Sequence, residues 1–386
     1  MKKLLIIHTK YIERGGEDIS VENEVNFLKN FYKVELISFQ NSKPLKFSDI
    51  LGLLTSNNYQ SKKILSDKIK NFNPDTIIIY NLWFKGSISL LRYCLKNKFN
   101  TFIKLHNYRY SCAYNYTSSK HLKGNKICPA CGLEKSNLGI FNKYYKDSAI
   151  KSLLVINFSR KFTRLLKNKS LKILTLTNHH KKYLTELGID DSRIFLQPNP
   201  LSQESKSLSL KTKRLNQVVY AGRISQEKGL IELIESWNKL ENNECKLLVL
   251  GEGPLLNNLK KYGSKNIVFK GYVENEEVLK IISQSKAVVT ATKLLEGQPT
   301  LLCEASVLET PSIFPDFGGI KDFFPDNYKY VFKQYDYEDL FKKIGTIAMN
   351  PYDSEQGQKN KEFLFKLLNN SQLHLSLRRA LENKNL

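Results

Sequence analysis

With 386 residues the chain is long enough for two domains, each with its own core. Its 41% hydrophobic and 25% charged content excludes a disordered protein, and no apolar run approaches the ~18 residues of a membrane span. The net charge of +23 is uneven: residues 1–200 hold 34 Lys/Arg against 14 Asp/Glu, the remainder 26 against 23, so the N-terminal half would face any anionic partner.

The apolar run after Met1-Lys2-Lys3 is four residues long, too short for a signal peptide, which points to a cytoplasmic protein. Leu4 to Ile7 reads as a buried parallel strand, followed by Gly15-Gly16 and a helix with Val21, Val25 and Leu28 on one face. Strand, glycine turn and helix is an arrangement that cradles phosphate, because glycine lets the backbone approach a ligand closely. Further strands are expected at Val34–Phe39, Thr76–Tyr80 and Thr101–Leu105, with helical patterns between them. That alternation predicts a doubly wound parallel sheet, whose ligands bind at the carboxyl ends of the strands. His106 follows directly on such an end.

Cys112 and the Cys128-Pro129-Ala130-Cys131 turn resemble three ligands of a zinc site, with His121 or His106 as a fourth. No fourth ligand has fitting spacing, and ordinary reduced cysteines are the competing reading. From Phe141 to Lys172 aromatic and aliphatic residues interleave with Lys and Arg, a pattern that suits either an acidic membrane surface or a core helix with a solvated face. Strand returns at Ile173–Leu176, and a helix over Lys181–Leu187 ends at Gly188. Gln197-Pro198-Asn199-Pro200 then breaks structure, and 201–216 is polar and aperiodic, a linker between a domain at 1–200 and a second one at 217–360.

The second domain restarts the same unit. Val218–Ala221 is a strand, followed by Gly222-Arg223, a polar loop, Lys228-Gly229 and a helix with Leu230, Leu233, Ile234 and Trp237 inward. An Arg and a Lys on such a loop can both reach a diphosphate. Strands at Lys246–Leu250 and Ile267–Phe269 run into Gly251-Glu252-Gly253-Pro254 and Gly271-Tyr272-Val273, and Ala287–Thr290 and Pro311–Phe314 are two more. The last opens onto Asp316-Phe317-Gly318-Gly319, whose backbone N–H groups can meet sugar hydroxyls. The tail from Lys361 to Asn385 is expected as a helix.

The stretch Leu295-Glu296-Gly297-Gln298-Pro299-Thr300-Leu301-Leu302-Cys303-Glu304-Ala305 ties these features together. Pro299 suits the start of a helix over Thr300–Leu308, which leaves Glu296 in the loop before it and Glu304 more than a turn inside. The two carboxylates then stand roughly 10 Å apart, with the N–H groups of Thr300 and Leu301 between them at a helix start. This is a clamp for a ligand that is polyhydroxyl, then phosphate, then polyhydroxyl, the layout of a sugar nucleotide.

Taken in order, Gly15-Gly16, His106, Arg223 with Lys228, Glu296 with Glu304, and Gly318-Gly319 resemble the retaining glycosyltransferases of family 4. The resemblance is strongest from Val218 to Phe324. It implies an α/β protein of the GT-B fold, two Rossmann-like domains facing a central cleft, with the C-terminal helix of 361–386 packing back on the N-terminal, acceptor-side domain. It also implies roles. Arg223 and Lys228 would neutralise the leaving diphosphate with help from the backbone of Gly16, Thr300 and Leu301, and Glu304 would hold the ribose. The backbone near Tyr272 and Val273 would read the base, Glu296 with Gly318 and Gly319 would hold the transferred sugar, and His106 would lie at the reacting face. The paired cations stand where other transferases use a metal, so no cofactor is expected beyond a UDP- or GDP-linked sugar as donor substrate.

His106-Asn107-Tyr108-Arg109 with the three cysteines also looks like a bacterial subgroup of the family associated with surface polysaccharide. Two departures stand out: no cysteine lies near Tyr144, and Lys321 stands where the family usually has Glu. The implied activity is transfer of a sugar to a glycan or lipid-linked acceptor at the inner face of the membrane. A nucleotide-sugar epimerase of the same fold is one alternative. A basic nucleic-acid-binding protein is another, suggested by charge alone and supported by no base-reading motif.

Overall fold

The computed structural model describes residues 1–11, 16–41, 52, 54–108, 149–201, 213–241 and 244–382. The chain divides into two compact units, Met1–Pro200 with Asn370–Leu386, and Leu201–Asn369.

Unit 1 is built on six parallel strands, β1 (Lys3–Lys10), β2 (Lys33–Gln40), β3 (Thr76–Ile79), β4 (Thr101–Leu105), β5 (Leu171–Thr175) and β6 (Ile194–Leu196), in the order β2-β1-β3-β4-β5-β6. The central strands are buried nearly along their length, as their largely apolar sequences require when helices cover both faces. The described helices are α1 (Gly16–Lys29), α2 (Tyr59–Phe72), α3 (Ser87–Lys96), α4 (Ala149–Leu166) and α5 (Asn178–Glu186). Their ends follow local chemistry. Glu17 and Asp18 sit in the first turn of α1 and Lys29 in its last, matching the helix dipole. Asn58 caps α2 by accepting from Ser61 N, and Thr177 caps α5 by accepting from His180 N.

Unit 2 repeats the architecture with β7 (Gln217–Ala221), β8 (Lys246–Leu250), β9 (Ile267–Gly271), β10 (Ala287–Val289), β11 (Ser312–Pro315) and β12 (Val331–Phe332), in the order β12-β11-β10-β7-β8-β9, again all parallel. Its described helices are α6 (Leu230–Asn238), α7 (Leu256–Leu259), α8 (Asn275–Ser283), α9 (Thr300–Val307), α10 (Tyr337–Met349) and α11 (Ser354–Leu367). The strand order reverses between β7 and β10, so the loops after these two strands flank the position where such sheets take ligands. The expected doubly wound sheets are both present; the short strands β6 and β12 are additions that their few residues did not reveal.

The C-terminal tail differs from the expected single helix over 361–385. It is two helices, α11 and α12 (Asn370–Glu382), broken at Leu368 and Asn369, where a run of two Asn and a Ser favours caps over helix interior. The break is where the chain returns to unit 1. There α12 buries Leu373, Leu377, Ala380 and Leu381, accepts from Gln197 Nε2 at Leu373 O (3.2 Å), and stacks His374 on Phe31 at 3.9 Å. The end of the expected 201–216 linker is likewise anchored. Arg214 donates to Leu308 O (2.8 Å) and Thr310 Oγ1 (2.6 Å), and its guanidinium lies 4.2 Å from the centre of the Tyr352 ring.

Candidate functional site

In unit 2 the loops at the carboxyl edge of the sheet are laced together through glycines. Gly222, at φ +152°, Gly251, at φ +127°, and Gly253, at φ +159°, bring the loops after β7 and β8 into backbone contact; a Cβ on Gly251 would overlap Gly222 O, and one on Gly253 would overlap Ile224 O. Ile224 N donates to Glu252 O at 2.8 Å and Gly251 N to Gly271 O at 2.7 Å, which carries the lacing to β9. On the other side Lys293 N donates to Glu227 O (2.9 Å), and Gly319 N donates to Glu296 O (2.9 Å). One rigid rim therefore presents Arg223 and Lys228 after β7, Tyr272 and Val273 after β9, Glu296 through Glu304 after β10, and Gly318 with Gly319 after β11.

Within that rim Lys228 Nζ lies 2.7 Å from Glu296 Oε1, both side chains being about one-quarter exposed. Thr292 Oγ1 donates to the same carboxylate oxygen at 3.2 Å. Arg223, largely exposed, is ion-paired with Glu227. Burial raises the Glu227 carboxyl, but hydrogen bonds from its own N–H, Ser225 and Arg223 outweigh that and hold it below the usual carboxylate range. Each of the two sequence-expected cations thus holds a carboxylate, and a dianionic ligand can displace either partner. Gly318, at φ +73°, packs against Glu296 so that a Cβ would stand 2.7 Å from Glu296 O. Pro299 precedes the first helical residue and does not occupy it, leaving Thr300, exposed, and Leu301, half-buried, at the start of α9. Glu304 lies one turn on, half-buried, and burial pushes its carboxyl up to about 7. Tyr272 is exposed and Val273 half-buried.

In unit 1 Gly16 is the first residue of α1, and a Cβ on it would meet no atom within 4 Å. Gly15 lies outside the described residues, as do Cys112, His121, Cys128 and Cys131. Among the described residues no cluster of three or more His, Cys, Asp or Glu could hold a metal ion. His106 follows β4 with its ring 5.5 Å from that of Tyr80 and with Nε2 buried and hydrogen-bonded to none of the described residues. Burial, then the charge of Lys104 and the rings of His8 and His180, hold it well below the ordinary histidine range, so it is neutral at pH 7.

A buried ion pair and a buried histidine–carboxylate hydrogen bond lie in unit 1, and sequence reasoning missed both. Lys104, fully buried, meets both oxygens of Glu24 at 2.7 Å, and His8 Nε2 lies 2.7 Å from Asp18 Oδ1. A lysine inside the otherwise apolar strand Thr101–Leu105 was the available signal, since a buried ammonium demands a partner. In unit 2, Thr292 and Glu227 were missed too; Glu227 stands four residues after Arg223, a spacing open to an ion pair.

Residues 202–363 match the model of the family described as Glycosyl transferases group 1. The amylovoran biosynthesis glycosyltransferase AmsD of Erwinia amylovora is 28% identical over 160 residues, 37% of this chain and 42% of AmsD. The chain spans less than half the length of the curated relatives it matches. Among solved structures, Anabaena Alr3699/HepE in complex with UDP superposes with a TM-score of 0.67 at 11% identity, covering 99% of each chain. Sucrose-phosphate synthase from Thermosynechococcus elongatus does so with a TM-score of 0.68 at 14% identity, covering 98% of each chain. At such identities these likenesses concern the fold, and they make it the two-domain GT-B fold.

Proposed function

We propose, from the premise that residues 202–363 form a group 1 glycosyl transferase domain, that the chain is a retaining glycosyltransferase of family 4. It transfers a sugar from a nucleoside-diphosphate donor to a glycan or lipid-linked acceptor in surface-polysaccharide assembly. The observation that carries the reading is the Lys228–Glu296 pair at the reversal of strand order in unit 2, with Arg223 on the same loop as Lys228 and Glu304 one turn into α9. Two cations on a glycine-laced rim supply fixed positive charge for a departing diphosphate, the electrostatic term that dominates such chemistry. Release of Lys228 to the phosphate frees the Glu296 carboxylate, held by Thr292, for hydroxyls of the donor sugar.

In unit 2 Glu304 accepts from the ribose hydroxyls, the backbone at Tyr272 and Val273 faces the base, and the N–H groups of Thr300 and Leu301 add to the phosphate site; in unit 1 the N–H of Gly16, at the start of α1, suits an anionic group. His106 presents a neutral imidazole to the reacting sugar. The UDP bound by HepE and the amylovoran assignment of AmsD support a nucleotide donor and a polysaccharide acceptor. The surplus of Lys and Arg in residues 1–200, with Ile150 and Leu153 exposed on α4, supports an acidic membrane surface as the place of work. No helix among the described residues is long and apolar enough to cross a membrane.

The test is a thermal-shift screen of UDP- and GDP-linked sugars, followed by NMR of the product made with the sugar that binds. A donor that raises Tm, and a product with the donor's anomeric configuration, are expected. Failure of every nucleotide sugar to raise Tm overturns the transferase reading; inverted product overturns retention alone. Turnover of the donor to its epimer without an acceptor would make the protein an epimerase.

A further inference from the structure

In unit 1 the strand order reverses between β1 and β3, so the loops after these strands flank that sheet's own ligand position. Its floor is closed. Thr9 N donates to Asn81 O at 3.0 Å, Asn81 Nδ2 donates to Thr9 O at 2.8 Å, and Gly86 sits so near Thr9 that a Cβ would overlap the hydroxyl. Next to it runs the turn Trp83-Phe84-Lys85, in which Trp83 is buried and Phe84 and Lys85 are partly exposed.

Phe84 holds φ +66°, a conformation that bulky residues rarely adopt, and its ring is partly exposed. The turn is pinned on both sides of it: Asn41 Nδ2 donates to Trp83 O (3.1 Å), and Ser61 Oγ donates to Lys85 O (2.6 Å). A strained aromatic residue kept in place by its surroundings is a feature of ligand sites. Its ring continues a row: Phe84 lies 4.8 Å from Trp83, Trp83 lies 4.8 Å from Phe158, and Phe158 stacks on Phe162 at 5.9 Å. On α4 the partly exposed Phe158 and Phe162 each follow a polar residue, Asn157 and Lys161, whose side chains donate to Leu54 O (3.3 Å) and Ser56 Oγ (3.0 Å), so a polar row runs beside the aromatic one.

We propose that the Trp83–Phe84 turn and the Phe158–Phe162 face of α4 form a saccharide ledge that seats a sugar ring of the acceptor, a proposal that rests on the transferase reading above. A pyranose offers C–H bonds on one face, which the negative face of an aromatic ring attracts, and hydroxyls around its edge, which need a polar rim. The ledge supplies both. A bare hydrocarbon chain would have no use for the rim, and the donor is provided for by unit 2.

Both tryptophans are buried, Trp83 beside Phe84 and Phe158 and Trp237 in unit 2, so in a Trp237→Phe protein the emission of Trp83 reports a change at those two rings. The experiment titrates the methyl glycosides of glucose, galactose and N-acetylglucosamine, into the millimolar range, against this UDP-saturated full chain. A saturable emission shift with at least one glycoside is expected. Phe84→Asn, which accepts positive φ, weakens that glycoside at least tenfold, about 1.4 kcal/mol, while Phe84→Tyr retains it. No shift with any glycoside, or equal affinity in Phe84→Asn, overturns the ledge. A shift given by farnesyl phosphate and by no glycoside overturns it in favour of a lipid site. The rise in Tm with UDP is read on the same variants. Its persistence in Phe84→Asn shows an intact fold, and its absence in the parent overturns the donor reading separately.

Discussion

Gly229, at φ +67°, lies so close to Ala291 that a Cβ on it would overlap the Ala291 carbonyl. This approach locks the loop after β7, which carries Lys228, to the loop after β10, which carries Glu296. Gly229→Ala meets both a disfavoured dihedral and a steric overlap, so a loss on the order of 2–4 kcal/mol is expected in urea unfolding. Any UDP affinity that survives should be reduced as well, because Lys228 is the adjoining residue. Unchanged stability would mean that the two loops are not held by this contact.

Lys228→Met separates binding from folding. The Lys228–Glu296 pair is about one-quarter exposed, and pairs of this kind contribute about 0–1 kcal/mol to stability, so Tm should hardly move. UDP affinity should fall at least tenfold, about 1.4 kcal/mol, through loss of a charge on the diphosphate. Calorimetric titration with UDP checks this; wild-type affinity would remove Lys228 from the phosphate site.

The proposed role of Glu304 predicts a donor affinity that depends on pH. Burial pushes its carboxyl up to about 7, so the fold binds a proton that the unfolded chain, near the ordinary carboxylate value, has released. The stabilising difference is present at low pH and is lost as pH rises from about 4.5 through 7. Glu304→Gln should therefore raise stability at pH 8 by on the order of 1–2 kcal/mol, allowing for partial exposure, and should change little at pH 4. Nucleotide binding runs the other way: wild-type affinity should weaken as pH drops below about 7, and Glu304→Gln should be weak and flat. Melting curves and UDP titrations across that range test both limbs.

His180 governs acid stability. It is fully buried, stacks on Tyr108 at 4.2 Å, and is held down to about 3 by burial and then by His179. Below about 6.5 the unfolded chain takes up a proton that the folded histidine refuses. Stability should therefore be full above that pH and fall by about 1.4 kcal/mol per unit toward 3, with His106 adding in the same direction. His180→Phe, which keeps a ring on Tyr108, should flatten this slope by one proton. An identical pH dependence in the variant would show that His180 titrates normally.

Legibility differed between the two units. In unit 2 the site residues announce themselves through short-range pattern: glycines where loops cross, Pro299 before a helix, and cations and carboxylates at loop positions after apolar runs. In unit 1 the buried pairs Lys104–Glu24 and His8–Asp18 join residues 80 and 10 positions apart, and no local pattern pairs them. The single tail helix expected over 361–385 is split at Leu368 and Asn369, where the chain passes from unit 2 to unit 1, and α12 buries its apolar face in unit 1.

Alternation of apolar runs with amphipathic segments, a property of neighbouring residues, was enough to determine two doubly wound parallel sheets and to place Arg223, Lys228, Glu296, Gly318 and Gly319 on loops after strands of the second. Only the tertiary structure decided which charges meet: Lys228 with Glu296, Arg223 with Glu227, Lys104 with Glu24. It also decided the strain at Phe84 and the return of the chain to unit 1 at Asn370. These depend on strand order and on contacts distant in sequence, whose energies are set by burial and approach, quantities that exist only once the chain has folded.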